Sequence, residues 1–345
     1  MMSYRFPAEW ERQSAVAVAW PHAGTDWAPR LVEVERSYVK LVEAISRHQP
    51  VLVCVPDAAV RRHAVALLIN AAVDESRLHF VEVAYDDTWL RDSGPITLTC
   101  ADERGVHHRL LDFRFTGWGG KFEAGRDDRL VQSLHAAGVF GDVSLESIDF
   151  ALEGGAIESD GRGTLLTTWR CLHERHPEAA REVLTERLKE ALRVERVLWL
   201  EHGYLEGDDT DAHVDTLARF APGDAIVYQG CDDAGDSHHA ELAAMAAELA
   251  GLRTVDGQPY RLFALPWAQP IRDGERRLAA SYANFLIVNG AVLMPAYDDP
   301  ADAAARAVLE KAFPDHEIVP VPCRPLIWQN GSLHCVTMQL PSGLI

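Results

Sequence analysis

Phe285-Leu286-Ile287-Val288-Asn289-Gly290-Ala291-Val292-Leu293-Met294 reads as two apolar strands, 285–288 and 291–294, joined by two residues. Asn-Gly between such runs is a hairpin signal, and the type I′ turn it favours carries positive φ at both central residues. Working outward, short β-branched or apolar runs recur at 15–20, 51–55, 79–83, 96–99, 165–168, 197–200, 225–228 and 334–339. Most end at Gly, Pro, Asp or Asn. Between them lie stretches at 30–46, 58–72, 126–137, 177–192, 239–252 and 300–312 whose apolar residues return every three or four positions, as on one face of a helix. Strands and helices therefore alternate throughout, and the class is α/β or α+β.

No Ser/Gly-rich linker or low-complexity tract divides the 345 residues, so the expectation is one domain spanning 1–345. A coarse period accounts for the length. Asp92 follows a strand, and Glu153, His213 and Cys335 occupy similar strand-edge positions. The steps from 92 to 153 and from 153 to 213 are 61 and 60 residues, and that from 213 to 335 is 122. Units of roughly sixty to seventy residues would each deliver one polar residue to a shared centre.

The charge balance narrows the function. Thirty-three Lys and Arg against 52 Asp and Glu give a formal net charge of −19. Nucleic acid is a poor partner for such a chain, because phosphates need a basic surface. A small cation drawn to acidic walls is compatible with it. The first residues have no apolar core of signal-peptide length, and no segment reaches membrane-spanning length without a charge or a breaker. The six cysteines are scattered and form no CxxC pair, which fits a reducing cytoplasm.

Four segments concentrate chemistry. Trp89-Leu90-Arg91-Asp92-Ser93-Gly94-Pro95 places Asp92 on a loop stopped by Gly-Pro, although alone it reads equally as a capped turn. Leu152-Glu153-Gly154-Gly155-Ala156 sets a carboxylate before two glycines that permit close backbone approach. In Asp208-Asp209-Thr210-Asp211-Ala212-His213-Val214-Asp215, a strand would point His213 and Asp215 to one face. A metal site is the rival, with His173, His176, His202, His238 and His239 as further ligands, but no HExxH or CxxC spacing supports it. In Asn330-Gly331-Ser332-Leu333-His334-Cys335-Val336-Thr337, Cys335 begins an apolar strand. In isolation it reads as a buried core cysteine. In company with a distant His and carboxylates it outlines a nucleophile.

Taken in order, these four segments, with Trp20-Pro21 near the start and the 284–297 hairpin region, resemble the agmatine deiminase and bacterial-type peptidylarginine deiminase family, from about Phe6 to Pro341. The resemblance implies the guanidine-modifying fold, an α/β pseudo-fivefold propeller of ββαβ-type modules, and so a single deiminase domain. It implies Cys335 as nucleophile, His213 as general acid and base, Asp92 and Asp215 gripping the guanidinium, and Glu153 orienting His213 or holding substrate. It implies hydrolysis of agmatine to N-carbamoylputrescine and ammonia in putrescine synthesis, by a cytoplasmic homodimer, without metal or organic cofactor. Peptidyl-arginine or another arginine derivative is an alternative substrate. Amidino transfer and non-catalytic binding of cationic metabolites are alternative functions. Trp89, Trp118 in Gly117-Trp118-Gly119-Gly120, and Asp26 are the expected contacts to the rest of the substrate, since an indole face packs against a guanidinium or an alkyl chain. The chain departs from the family in Ala212, where Gly often precedes the His, in Thr216, where Asn is common, and in a shorter glycine run before the Cys.

Overall fold

The computed structural model describes residues 3–103 and 105–345. Among these, five sheets repeat one plan: a first strand pairs antiparallel with a second, and the second pairs parallel with a third reached across a helix. Ile96–Asp102, Gly105–Arg114 and Ser144–Ala151 form one such sheet. Ile157–Ser159, Thr164–Thr168 and Arg196–Leu200 form the next, then Ala218–Ala221, Ala225–Gln229 and Arg261–Leu265. Leu286–Val288, Ala291–Ala296 and Glu317–Pro322 follow. In the remaining sheet the last strand of the chain, Thr337–Pro341, pairs antiparallel with Gln13–Ala19, which runs parallel to Val51–Val55, itself parallel to Leu78–Glu82. The C-terminal strand thus supplies the first position of the N-terminal sheet. A two-stranded ribbon, Arg272–Asp273 with Arg276–Arg277, stands apart.

The crossovers are amphipathic helices, and parallel neighbours require such a connection. Leu31–Ser46 buries Val34, Tyr38, Leu41, Val42 and Ile45, and Asp302–Ala312 buries Ala305, Leu309 and Ala312. Ala58–Asn70, Leu130–Ala136, Arg181–Leu192 and His239–Gly251 complete the set. The N-terminus of Ala58–Asn70 is fixed by Asp57, whose side chain accepts from the Ala59 and Val60 amides. The observed helices match the six expected from periodicity to within a few residues at most ends.

The strands were harder to see. Glu317–Pro322 carries Pro320 and Pro322, tolerated because it is an edge strand whose unpaired side needs no N–H. Gly105–Arg114 begins exposed and carries two histidines and two arginines, hiding its alternation. The hairpin at 289–290 exists, but its turn is not type I′. Gly290 takes φ +77°, whereas Asn289 is not among the positive-φ residues. The Asn289 side chain is committed elsewhere: its Oδ1 accepts from the Gln13 amide and its Nδ2 donates to the Gln13 carbonyl, both at 3.0 Å or less. That clamp ties the hairpin to the first sheet.

Candidate active site

A site residue stands just before the first strand of each sheet. Asp92 lies in a single helical turn, Leu90–Ser93, ahead of the strand at 96. Glu153 precedes a short turn, Gly154–Ala156, ahead of 157. His213 and Asp215 precede 218, and Cys335 precedes 337. The remaining sheet begins at 286, and Asn284 stands before it. The 122-residue step between His213 and Cys335 was twice the others, and Asn284 occupies the gap. That doubled step was the signal for a fifth residue, and the sequence reading assigned it none.

Two of the expected local conformations differ. His213 and Asp215 are not on a strand. Asp208 accepts from the Thr210 and Ala212 amides through its side chain, which coils 208–212. Asp211 and Ala212 then take φ +66° and +69°, values no strand has. His213 starts a 3-10 turn, Val214–Thr216, and both side chains still reach the centre. Ala212 occupies a left-handed position, which explains why a glycine suits it. Cys335 likewise sits in a turn before its strand, because Asn284 Oδ1 accepts from the amides of both His334 (2.9 Å) and Cys335 (3.3 Å).

The five expected polar residues meet, all essentially buried. His213 lies between two carboxylates, Nδ1 at 3.6 Å from Asp92 Oδ1 and Nε2 at 3.7 Å from Glu153 Oε2. Neither ring nitrogen has a hydrogen-bond partner within the described residues, and neither do Glu153 Oε2 and Asp215 Oδ1. Burial lowers the affinity of His213 for a proton, but Asp92 above all outweighs it, and its pKa is well above the usual imidazole value. Burial raises Asp92 to about 6, with His213 opposing and Asp215 and Glu153 adding to the rise. Glu153 is held below its ordinary value despite burial, by His213 and by Arg175, whose Nε donates to Glu153 Oε1 at 2.6 Å. The Cys335 thiol is pushed well up by burial, then by Asp215 and Asp92. Its Sγ lies 3.6 Å from Asp215 Oδ2 and 3.2 Å from Asn284 Nδ2.

Behind these groups stands a network the sequence did not announce. His334 bridges Asp215 Oδ2 (Nδ1, 2.7 Å) and Glu9 Oε2 (Nε2, 2.7 Å). Glu9 also accepts from Arg219, which donates in turn to Glu158. Arg175 donates to Asp211 Oδ2 and the Thr210 carbonyl as well as to Glu153, so it fastens the His213 loop to the Glu153 loop. Cys171 is buried beside His213, and Glu153, Cys171 and His213 are a group whose ligand atoms lie within 4.8 Å of one another. The histidines considered as rival ligands go elsewhere: His173 stacks on Trp169, His176 meets the Ala151 carbonyl, His202 pairs with Glu241 and His238 with Asp236. His239 meets the Cys231 carbonyl.

Asp92 and Cys335 form part of the wall of a cavity of about 590 Å3. Trp89 and Trp118 line it, and Asp26 is an exposed residue on its wall, so all three expected contacts face it. Trp118 is held by its Nε1–H bond to Asp92 Oδ2 (3.0 Å) and by edge contacts with Phe115 and Phe122. It takes φ +56° between glycines that are also left-handed. Trp89 packs on Trp27 and against Gly331, where a Cβ would overlap the indole. The one glycine kept in the shortened run is thus the one that lets Trp89 in. Asp86, Asp87, Glu123, Asp127 and Asp209 also line the cavity. Its two cations are engaged: Lys121 with the Asp209 carbonyl and Asp211, Arg276 with Asn330 and the Trp328 carbonyl.

The model of the Porphyromonas-type peptidyl-arginine deiminase family matches residues 5–341. The chain belongs to that family. Among relatives of this deiminase family, the agmatine deiminase of Stutzerimonas stutzeri is 34% identical, over 99% of this chain and 96% of its own. A Porphyromonas gingivalis structure ascribed to an arginine deiminase is 48% identical with a TM-score of 0.91, covering 99% of each chain. A C. jejuni agmatine deiminase solved with substrate bound is 34% identical with a TM-score of 0.89, covering 99% of this chain and 97% of that one.

Proposed function

We propose that this enzyme hydrolyses agmatine to N-carbamoylputrescine and ammonia, a route to putrescine, with Cys335 as nucleophile. The observation that carries the reading is Cys335 Sγ at the wall of an acidic cavity, beside Asp92 and Asp215 and with His213 behind. Asp92 and Asp215 accept from the guanidinium N–H groups and fix its plane. The thiol of the free enzyme is protonated, since burial and the two carboxylates raise its pKa. A bound cation offsets both carboxylates, so the thiol loses its proton to solvent as substrate enters.

The thiolate then forms a C–S bond at the central carbon. His213, held protonated by Asp92 and Glu153, gives its proton to one amino group, and the C–N bond breaks to release ammonia. The neutral imidazole takes a proton from water, whose oxygen attacks the thiouronium carbon. The C–S bond breaks, the sulfur leaves with its electron pair and takes the hydroxyl proton of the adduct, which restores the thiol, and the neutral ureido product leaves.

The cavity wall favours agmatine over arginine. Asp26, Asp86, Asp87, Glu123 and Asp127 suit a distal ammonium, while a carboxylate would need a free cation and both Lys121 and Arg276 are engaged. The five-fold repetition of one sheet plan supports a pseudo-fivefold propeller of ββαβ-type modules, and the match over 5–341 supports one deiminase domain. The family resemblance supports a cytoplasmic homodimer, which sedimentation velocity tests for assembly; no helix among the described residues is long and apolar enough to cross a membrane.

Ureido-product assays on agmatine, arginine, arginine peptides and methylated arginine test the assignment. Agmatine turns over best, and Cys335→Ala abolishes ammonia release. Substantial turnover by that variant, or preference for a peptide, rejects the mechanism or the substrate respectively. An added amine acceptor that captured the amidino group would show transfer instead of hydrolysis.

A further inference from the structure

Arg175 ends the short helix Trp169–Arg175, and its guanidinium is buried with all three nitrogens engaged. Nε donates to Glu153 Oε1 at 2.6 Å, Nη1 to Asp211 Oδ2 at 2.7 Å and Nη2 to the Thr210 carbonyl at 3.0 Å. A guanidinium presents its donors in a rigid fork that can meet all three acceptors at once, whereas a lysine amine is a single point charge.

The other end of this helix grips the same loop. Thr168, its N-cap, donates through Oγ1 to the Ala212 carbonyl at 2.7 Å. Residues 210–212 are thus clamped from both ends of one helix. The clamp spans Asp211 and Ala212, whose left-handed backbone costs energy in any residue but glycine and must be held by its surroundings. His213 follows directly, and its amide donates to Thr210 Oγ1 at 3.2 Å. Asp211 Oδ2 is met a second time by Lys121 Nζ at 2.7 Å. Burial opposes its ionisation, but Arg175 and Lys121 hold its carboxyl below the ordinary value.

The ring of His213 makes no hydrogen bond that would fix it. Its nitrogens stand 3.6 and 3.7 Å from Asp92 and Glu153, and nothing else among the described residues bonds to them. The place of the ring is therefore set by its backbone and by the groups around it. Arg175 acts on both, on the backbone through Thr210 and Asp211 and on the surroundings through Glu153. The other ionisable groups facing Glu153 are Cys171 of the same helix, Asp92 across the ring and, more remotely, His176.

We propose that Arg175 is a positioning residue for the deiminase reaction, joining the Glu153 carboxylate and the His213 loop into one unit that aligns the imidazole for both proton transfers, a role that rests on His213 as general acid and base.

Steady-state kinetics of Arg175→Gln and Arg175→Lys with agmatine test this. In Arg175→Gln kcat falls about a hundredfold, the scale of a misplacement near 1 Å. KM stays within about threefold, because Asp92 and Asp215 are held by Trp118, Gly155 and His334 instead. Arg175→Lys keeps the charge and recovers about tenfold of the lost kcat. Asp211→Asn, at the partly exposed end of the junction, lowers kcat about fivefold and keeps the test open if the Arg175 variants fail to fold. Combined with Arg175→Lys, its effect is less than multiplicative, since both break the same bond. The carboxyl 13C signal that disappears in Glu153→Gln protein reports Glu153 without turnover, and it titrates at higher pH in Arg175→Gln than in the wild type. A loss carried by KM, a lysine variant no better than glutamine, strictly multiplicative effects or an unmoved Glu153 titration each overturns the proposal. A wild type that leaves agmatine intact, with the Glu153 titration still moved by Arg175→Gln, rejects the agmatine reading alone.

Discussion

Asn284 donates through Nδ2 to Cys335 Sγ across 3.2 Å, while its Oδ1 accepts from the amides of His334 and Cys335. One amide therefore shapes the turn that carries the sulfur and also faces it. A donor aimed at sulfur is worth more once the sulfur is an anion. Asn284→Ala is expected to lower kcat/KM roughly ten- to a hundredfold, the worth of a hydrogen bond to a charged group. It also raises the thiol pKa, read from the pH dependence of iodoacetamide inactivation. A thiol pKa left where it was would reduce Asn284 to a structural role.

His334 is expected to keep Asp215 ionised, so that Asp92 alone sets the acid limit of activity. Burial alone would raise the Asp215 pKa, and the His334 hydrogen bond and charge outweigh it, so Asp215 stays ionised below its ordinary range. Gln at 334 can donate to one of the two carboxylates His334 now joins, and carries no charge. In His334→Gln the Asp215 pKa rises toward that of Asp92, and the acidic limb of the kcat/KM profile, governed by Asp92 alone in the wild type, becomes steeper and moves to higher pH. A variant that loses rate equally at every pH would contradict this.

Much of this arrangement was legible in the sequence, and what was not has a common cause. Asp92, Glu153, His213, Asp215 and Cys335 could be picked out because each sits beside glycines, prolines or other ionisable residues at near-regular intervals. Asn284 lies in an apolar hairpin region with no such neighbours, and its amide is unremarkable until the turn at 333–336 folds onto it. Glu9, Arg175 and Arg219 act across 210, 36 and 61 positions through single long side chains. No local pattern encodes such reach. The six helices were visible because burying one face imposes a period. Strands such as Glu317–Pro322 lie at sheet edges, where nothing enforces alternation.

Asp92 joins activity to stability with opposite signs. Its pKa is about 6 in the folded protein, against an ordinary 3.8. An acid whose pKa is raised on folding destabilises the fold as pH rises past its ordinary value, and the full penalty is reached above about 6. Two units or so correspond to on the order of 3 kcal/mol. Asp92→Asn removes that penalty. Above pH 7 the variant is expected to melt a few degrees higher, while kcat/KM falls roughly a hundred- to a thousandfold for want of the guanidinium's partner. The same ionisation predicts that wild-type kcat/KM climbs as pH rises through about 6. A less stable Asp92→Asn at pH 8 would refute the charge-burial account.

Gly155 is where Asp92, His213 and Asp215 pack together. A Cβ built there would stand 2.6 Å from His213 Nδ1, 2.8 Å from Asp92 Oδ1 and 3.1 Å from Asp215 Oδ2. These three atoms belong to the proposed proton donor and to both carboxylates proposed to grip the guanidinium, and all three close on the bare Cα of Gly155. Its φ is not left-handed, so alanine there brings no backbone strain, only a methyl group among these atoms. Gly155→Ala must displace the three side chains from one another. A shift of about 1 Å in such a cluster can cost a hundredfold in rate, and that is the loss expected in kcat/KM, with far-ultraviolet circular dichroism unchanged. Retained activity would mean that the reaction does not depend on the spacing of Asp92, His213 and Asp215, and that their packing on this glycine serves the fold alone.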